Sequence, residues 1–192
     1  MQTACPIKVF RFDHFKPTDR KMVVTAADPQ RRLVTEINAE PAAPEYARLV
    51  GLDAHQLTPM IFANYPVLVR LGGEYHVRAI QKVEDDGSLR FYCAIDEGVV
   101  LTVADSQDIA VHLDRALGNI TSQLGDTQVI LGFDCILRRL EVEQKQQLRK
   151  VSEILSRHKV LGFSTYGEQF RSMHVNQTFT GVAIGARPQS TV

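Results

Sequence analysis

Neither sign of charge dominates this chain: 22 lysines and arginines balance 22 aspartates and glutamates. No basic run or stripe interrupts the balance. A nucleic-acid binder needs such a footprint, because phosphate contacts supply much of its affinity, so the sequence argues against that class. Cysteine is scarce. Cys5, Cys93 and Cys135 are far apart, odd in number and never in a Cys-x-x-Cys pair, which supports neither a disulfide framework nor a thiolate zinc site. Each reads as a reduced thiol that can serve as a small buried hydrophobe.

Long apolar runs are missing as well. No stretch approaches the ~18 residues needed to cross a bilayer, and MQTACPIKVF lacks the basic and apolar regions of a secretion signal. The expectation is a cytoplasmic protein without membrane contact. Catalytic signatures are equally sparse: the phosphate loop, the dinucleotide fingerprint and His-Glu-x-x-His are absent, and GFSTYG places its serine one residue out of step for a nucleophile elbow. Cys135 has no cysteine-hydrolase signature around it. The reading is therefore of a protein that is not an enzyme.

What is present is ordinary globular material. The 192 residues are 44% hydrophobic and 23% charged, enough for a sizeable core in a single domain spanning residues 1–192. Met22 to Thr25 and Leu33 to Ile37 read as strands around the turn AADPQRR. EPAAPEYARLVGL predicts a short helix with Pro44 in its first turn and Gly51 as its stop, and DAHQLTPMIFANYP one or two further turns before Pro66. Between Val67 and Val103, double glycine and Asp-Gly punctuate alternating runs, the strongest hairpin signal available, so VLVRL, EYHVRAIQKV, LRFYCAI and VVLTVA predict an antiparallel meander.

The last third alternates strand and helix. Asp105 or Ser106 could cap a helix whose apolar positions Ile109, Leu113, Leu117, Ile120 and Leu124 recur at helical spacing. A strand at Val129 to Phe133, a charged helix from about Glu141 to Arg157, and the strands KVLGFSTYG and QTFTGVAIG follow. The fold class is α+β: a mixed, mostly antiparallel sheet with packed helices and a βαβ unit near the C-terminus.

If the Val129 and Val160 strands are parallel and joined by that helix, their carboxyl ends share one edge, where ligands of such sheets gather. Cys135, Arg138 and Arg139 would then meet Ser164, Thr165, Tyr166 and Glu168, a polar cluster suited to a small anionic or amide-bearing ligand. A plainer reading stays open beside it. Asp134 caps the helix, Arg138 and Arg139 form a solvated face with Glu141 and Glu143, and Cys135 packs inside.

RRLVTEINAEPAAPEYARLVGL, GGEYHVRAI and VLGFSTYGEQF followed by NQTFTGVAI resemble the C-terminal half of FIST sensory proteins, from about His14 to Ile184. DCILRRLE resembles the NosP subgroup, nitric-oxide-responsive haem proteins. The resemblance implies a cytoplasmic ligand-sensing module of bacterial signalling that acts beside histidine kinases, cyclic-di-GMP enzymes or chemoreceptors, with a homodimer also admitted. It implies haem b as the ligand, and that an N-terminal half of similar size belongs to complete members, so this chain would be a fragment. FIST-like regions of eukaryotic F-box proteins imply a different role, partner recognition without a pocket.

Haem asks for an axial ligand, an apolar slot and cations for two propionates. Arg138 and Arg139 could supply the cations. Six histidines are available and no spacing selects among them. His14, in FRFDHF, has the most suggestive setting for a metal ligand, with Phe10, Phe12 and Phe15 as an apolar wall. His112 falls on the polar flank of a helix and His158 at a helix C-terminus, where a cation suits the dipole.

Overall fold

The β pattern that the glycines punctuate between Val67 and Val103 belongs to a larger antiparallel sheet. In the computed structural model, which describes residues 3–187, the chain opens with β1 (Ile7–Phe12) and then a 14-residue β2 (Phe15–Asp28). The hairpin expected at Met22 is the far end of β2 turning into β3 (Leu33–Ile37), and β4 (Glu40–Pro41) follows. α1 (Ala42–Val50) stops at Gly51, whose φ of 78° is left-handed and whose N–H returns to the helix carbonyls. α2 (Pro59–Asn64) is capped by Thr58.

β5 (Val67–Leu71), β6 (Glu74–Arg78), β7 (Ile80–Val83), β8 (Leu89–Phe91) and β9 (Val100–Ser106) complete this sheet in the order β6-β5-β9-β2-β3-β8-β7. EYHVRAIQKV is two strands rather than the single strand its pattern suggests. β6 pairs with β5 and β7 with β8, so the two ends of the sheet order are one residue apart, at Ala79. A sheet whose ends meet that closely must curl around its own interior, where Tyr46 and Phe62 of the helices pack with Val24, Phe91, Leu101 and Val103.

The remaining elements form a second compact unit: α3 (Ile109–Leu124), β10 (Thr127–Cys135), α4 (Ile136–Gln144), α5 (Leu148–Arg157), β11 (Val160–Thr165), β12 (Glu168–Phe170), β13 (Met173–Val175, which its first residue joins) and β14 (Phe179–Gly185). Of these, β14, β10 and β11 join β1 in the strand order β1-β14-β10-β11, in which β10 and β11 alone are parallel and the other pairs antiparallel, while β12 and β13 pair with each other. The described chain is 29% helix and 43% strand, an α+β protein as the pattern predicts.

Two local expectations are corrected. α3 is capped by Asp108, which accepts from the Val111 N–H at 2.8 Å, because the β9 ladder already claims Asp105 and Ser106. The helix predicted from Glu141 to Arg157 is two helices. Gln146 takes φ 54°, its N–H returns to the Glu143 carbonyl, and that of Gln147 reaches Val142. This is a Schellman closure built without glycine. The break turns α5 so that Val151 and Ile154 join Val142, Leu113, Leu117 and Phe179 in one core.

On the helix side of the sheet, Gly181, Gly132 and Gly162 lie in one register row. A Cβ at Gly181 would strike the Phe10 ring, and one at Gly162 would fall on the Gly132 carbonyl. Bare backbone is what lets the strands and aromatic rings approach.

Candidate functional site

The site is built where β10 ends and α4 begins. Cys135 is the residue before the helix, with no side-chain cap, and Asp134 turns instead toward the helix interior, accepting from Arg138 Nε at 2.6 Å. Arg138 is 1% exposed. Its Nη1 lies 3.0 Å from His14 Nδ1, and its guanidinium carbon stands 5.9 Å from the centre of the Phe179 ring. His14 Nε2 lies 2.9 Å from one oxygen of Glu141 and 3.0 Å from the other, and Lys145 Nζ donates to Glu141 at 2.6 Å.

Guanidinium can only donate and carboxylate can only accept, so the two contacts set the imidazole proton. His14 accepts at Nδ1 from Arg138 and donates from Nε2 to Glu141. Burial holds His14 below its ordinary pKa, and the adjacent Arg138 pushes the same way against the pull of Glu141. The ring is neutral, and the link to Glu141 is a charge-assisted hydrogen bond rather than an ion pair. Burial works against the ionised form of Glu141, yet the hydrogen bonds from His14 and Lys145 outweigh it and hold that carboxyl low.

The solvated-face reading of these charges therefore fails for Arg138 and Glu141, both buried, and for Asp134 as a helix cap. It holds for Arg139, half exposed and paired with Glu143 at 2.6 Å. Asp134, Arg138, Glu141 and Lys145 follow one another at spacings of four, three and four, a helical core stripe with alternating charge. That stripe was the available signal for the network.

Beside it lies a second cluster. The Thr165 hydroxyl bonds to Glu168, and Thr178 Oγ1 donates to the other Glu168 oxygen at 2.6 Å. Glu168 is buried, and burial raises its pKa despite the two hydroxyls, with the charge of Asp134 adding to the rise. Burial also pushes the Cys135 thiol up to about 11, helped by the charge of Glu168. A thiol held protonated in this way is a packing group and not a nucleophile. Tyr166 stands in solvent at 87% exposure, outside the cluster.

Above the glycine row, between α4, α5 and the carboxyl ends of β10 and β11, opens a cleft of about 310 Å³. Asp134, Arg139, Ser152 and Ser164 give it polar groups, and Val151 and Phe179 contribute to its apolar wall. Of the residues predicted to gather here, Arg139 and Ser164 line the cleft. Arg138 lies buried in the network, and Cys135, Thr165 and Glu168 form the neighbouring cluster. Ser152, exposed at the mouth of the cleft, was missed because only the break before α5 aims that face of the helix at the cleft.

The haem expectation can be tested against this geometry. His14 is fully buried and both ring nitrogens are engaged by protein groups, so in this arrangement it presents iron with no lone pair. Arg138, one of the two suggested propionate partners, is spent on Asp134 and His14. The residues around His14 do not fit haem.

Fold and site together define the class: an α+β chain whose mixed sheet opens a ligand-sized cleft at a parallel carboxyl edge. The family model for the FIST C domain matches residues 42–171, well over half of the chain. The chain belongs to the FIST C domain family, a sensory domain family of signal transduction. No curated protein and no solved structure matches it. Among the described residues no helix is long and apolar enough to cross a membrane.

Proposed function

We propose that this chain is a ligand-sensing domain whose sensing site is the cleft over the carboxyl ends of β10 and β11. The cleft itself carries the reading: a concave space with an apolar floor and convergent polar groups is what small-molecule sites look like, here with polar and apolar lining in similar measure, and it lies where parallel strands end. Its chemistry favours a small ligand with an apolar body, a hydrogen-bond donor for Asp134 and an anionic or carbonyl group for Arg139. Asp134 is also the outer end of the buried Asp134–Arg138–His14–Glu141 chain. A ligand that pulls on its carboxylate changes the balance of that chain, the kind of differential contact a signalling equilibrium needs. The receiver would be a histidine kinase or a cyclic-di-GMP enzyme in the cytoplasm.

A thermal-shift and NMR screen of small amphipathic metabolites tests this. Hits should perturb the Ser152 and Ser164 amides and lose affinity in Asp134→Asn and Arg139→Ala. Hits that perturb neither amide would move the site elsewhere.

Haem and nitric oxide are the second reading, on the DCILRRLE resemblance. One observation redirects it: His112 Nδ1 has no hydrogen-bond partner, and its ring lies 5.9 Å from Phe12. If haem is the ligand, titration should give a saturable Soret band that survives in His14→Ala and is lost in His112→Ala. No saturable band in any of the three proteins removes haem.

A further inference from the structure

On the helix side of the sheet, register sets Asp134 beside Ser164, Gly132 beside Gly162 and Ile130 beside Val160. Ile130 and Gly132 of β10 are buried, yet Gly162 and Ser164 of β11 are exposed. α4 and α5 therefore cover β10 and stop short of β11, and that shortfall is the cleft. Because the two strands are parallel, its polar groups collect at one end. Asp134, Ser164 and Arg139, which closes the first turn of α4, stand at the carboxyl end. Val160 lies four residues back from Ser164, about 13 Å along the strand, and Leu155 near the end of α5 adds to that apolar end.

Between the two ends the floor is bare backbone, Gly132 and Gly162, and the Phe179 ring borders it, 2.6 Å from where a Gly132 Cβ would stand. A rigid ring lies on such a floor without giving up the rotors that an alkyl chain must freeze. It also meets Phe179 in the offset or edge geometry that aromatic pairs favour. An apolar cavity of ~150 Å³ takes one benzene ring, so about 310 Å³ suits two fused rings. At the polar end, Arg138 meets the charge of Asp134 on Oδ1, which leaves the other oxygen to accept from a ligand N–H or O–H. Arg139 spends Nε on the exposed Glu143 and keeps its two Nη groups for a carboxylate. Acceptor and cation share one end of the cleft. The ligand's donor and its carboxylate must therefore be neighbours, with the rings behind them.

We infer, resting on the reading of this cleft as the sensing site, that its ligand is a planar fused-ring aromatic acid with an N–H or O–H beside the carboxylate. The donor sits on Asp134, the carboxylate on Arg139, and the rings over Gly132 and Gly162 toward Val160. Indole-2-carboxylate has this pattern. The test is its titration into the full chain, followed by NMR, beside N-methylindole-2-carboxylate, indole-2-carboxamide and octanoate. Saturable shifts of the Ser152 and Ser164 amides are expected with indole-2-carboxylate, and affinity ~10-fold or more weaker for each comparator. Arg139→Ala should erase its advantage over the carboxamide. Ser152→Trp, at the exposed mouth, should block both while native circular dichroism is kept. A comparator that shifts the same amides and binds as tightly overturns the ligand class and leaves the cleft as the sensing site. Amides indifferent to indole-2-carboxylate also overturn it. If metabolites of the wider screen then shift them, this inference alone falls, and if none does, the sensing-site reading falls with it.

Discussion

His14 and Glu141 stand 127 positions apart in the chain and 2.9 Å apart in the fold. That contact ties the end of β1 to the second turn of α4, and with Arg138 and Asp134 it makes a continuous buried chain of hydrogen bonds. Removing Arg138 leaves the Asp134 carboxyl without its cation, whereas removing His14 leaves Arg138 and Glu141 still paired with Asp134 and Lys145 but each short of one buried hydrogen bond. Arg138→Ala is expected to cost about 3–5 kcal/mol and His14→Ala about 1–3 kcal/mol, read as lower midpoints in urea unfolding.

The adjacent arginine gives the contrast. Arg139 is exposed and pairs with Glu143 on the same helix, an interaction worth a few tenths of a kcal/mol. Arg139→Ala should leave unfolding within about 0.5 kcal/mol of the parent while weakening any anionic ligand of the cleft. Equal destabilisation by the two alanine variants would refute the assignment of one arginine to the core and the other to the cleft.

Stability should fall on mild acidification. Burial lowers the pKa of His14 and carries that of His112 down to about 4 from 6.5. Between those values the unfolded chain binds more protons than the folded one, so folding free energy is lost as pH drops below 6.5. Glu168 and Asp134, raised by burial, have the opposite sign. Their contribution is full below the ordinary carboxylate pKa and is lost as pH rises through their raised values. Urea midpoints of the parent and His112→Phe at pH 7 and pH 5 separate the two effects. The variant should lose less on acidification, and an unchanged loss would count against His112.

Thiol labelling should be selective. Cys135 is buried with a raised pKa, whereas Cys5 and Cys93 are partly exposed. A disulfide reagent at pH 8 should modify Cys135 only on unfolding. Rapid native labelling of Cys135 would show a reachable thiol and reopen a covalent role.

Gly162→Ala should be among the most damaging small substitutions. The added methyl would fall on the Gly132 carbonyl and force apart the one parallel pair of the sheet, at a cost of ~1–3 kcal/mol or more. A near-neutral result would mean that β10 and β11 are not packed this closely.

Much of this was legible. Glycine turns announced the meander, the four-residue rhythm of Ile109, Leu113 and Leu117 announced α3, and strand–helix–strand alternation placed a cluster at the carboxyl edge of β10 and β11. These signals are local, set by backbone geometry and by the period at which apolar residues return to one face. The break at Gln146 was not legible, because it uses a left-handed glutamine where glycine is the usual mark. Nor was β2 visible at its full length, since half of it carries charged, solvent-facing residues.

Sequence by itself determined the α+β class and the balanced charge, because each follows from composition and short-range periodicity, while it offered the carboxyl edge of β10 and β11 only on the condition that those strands run parallel. Tertiary structure alone decided which charges are interior. Arg138 and Arg139 are neighbours of one residue type, and their opposite fates follow from a 100° turn of helix that points one at His14 and the other at water.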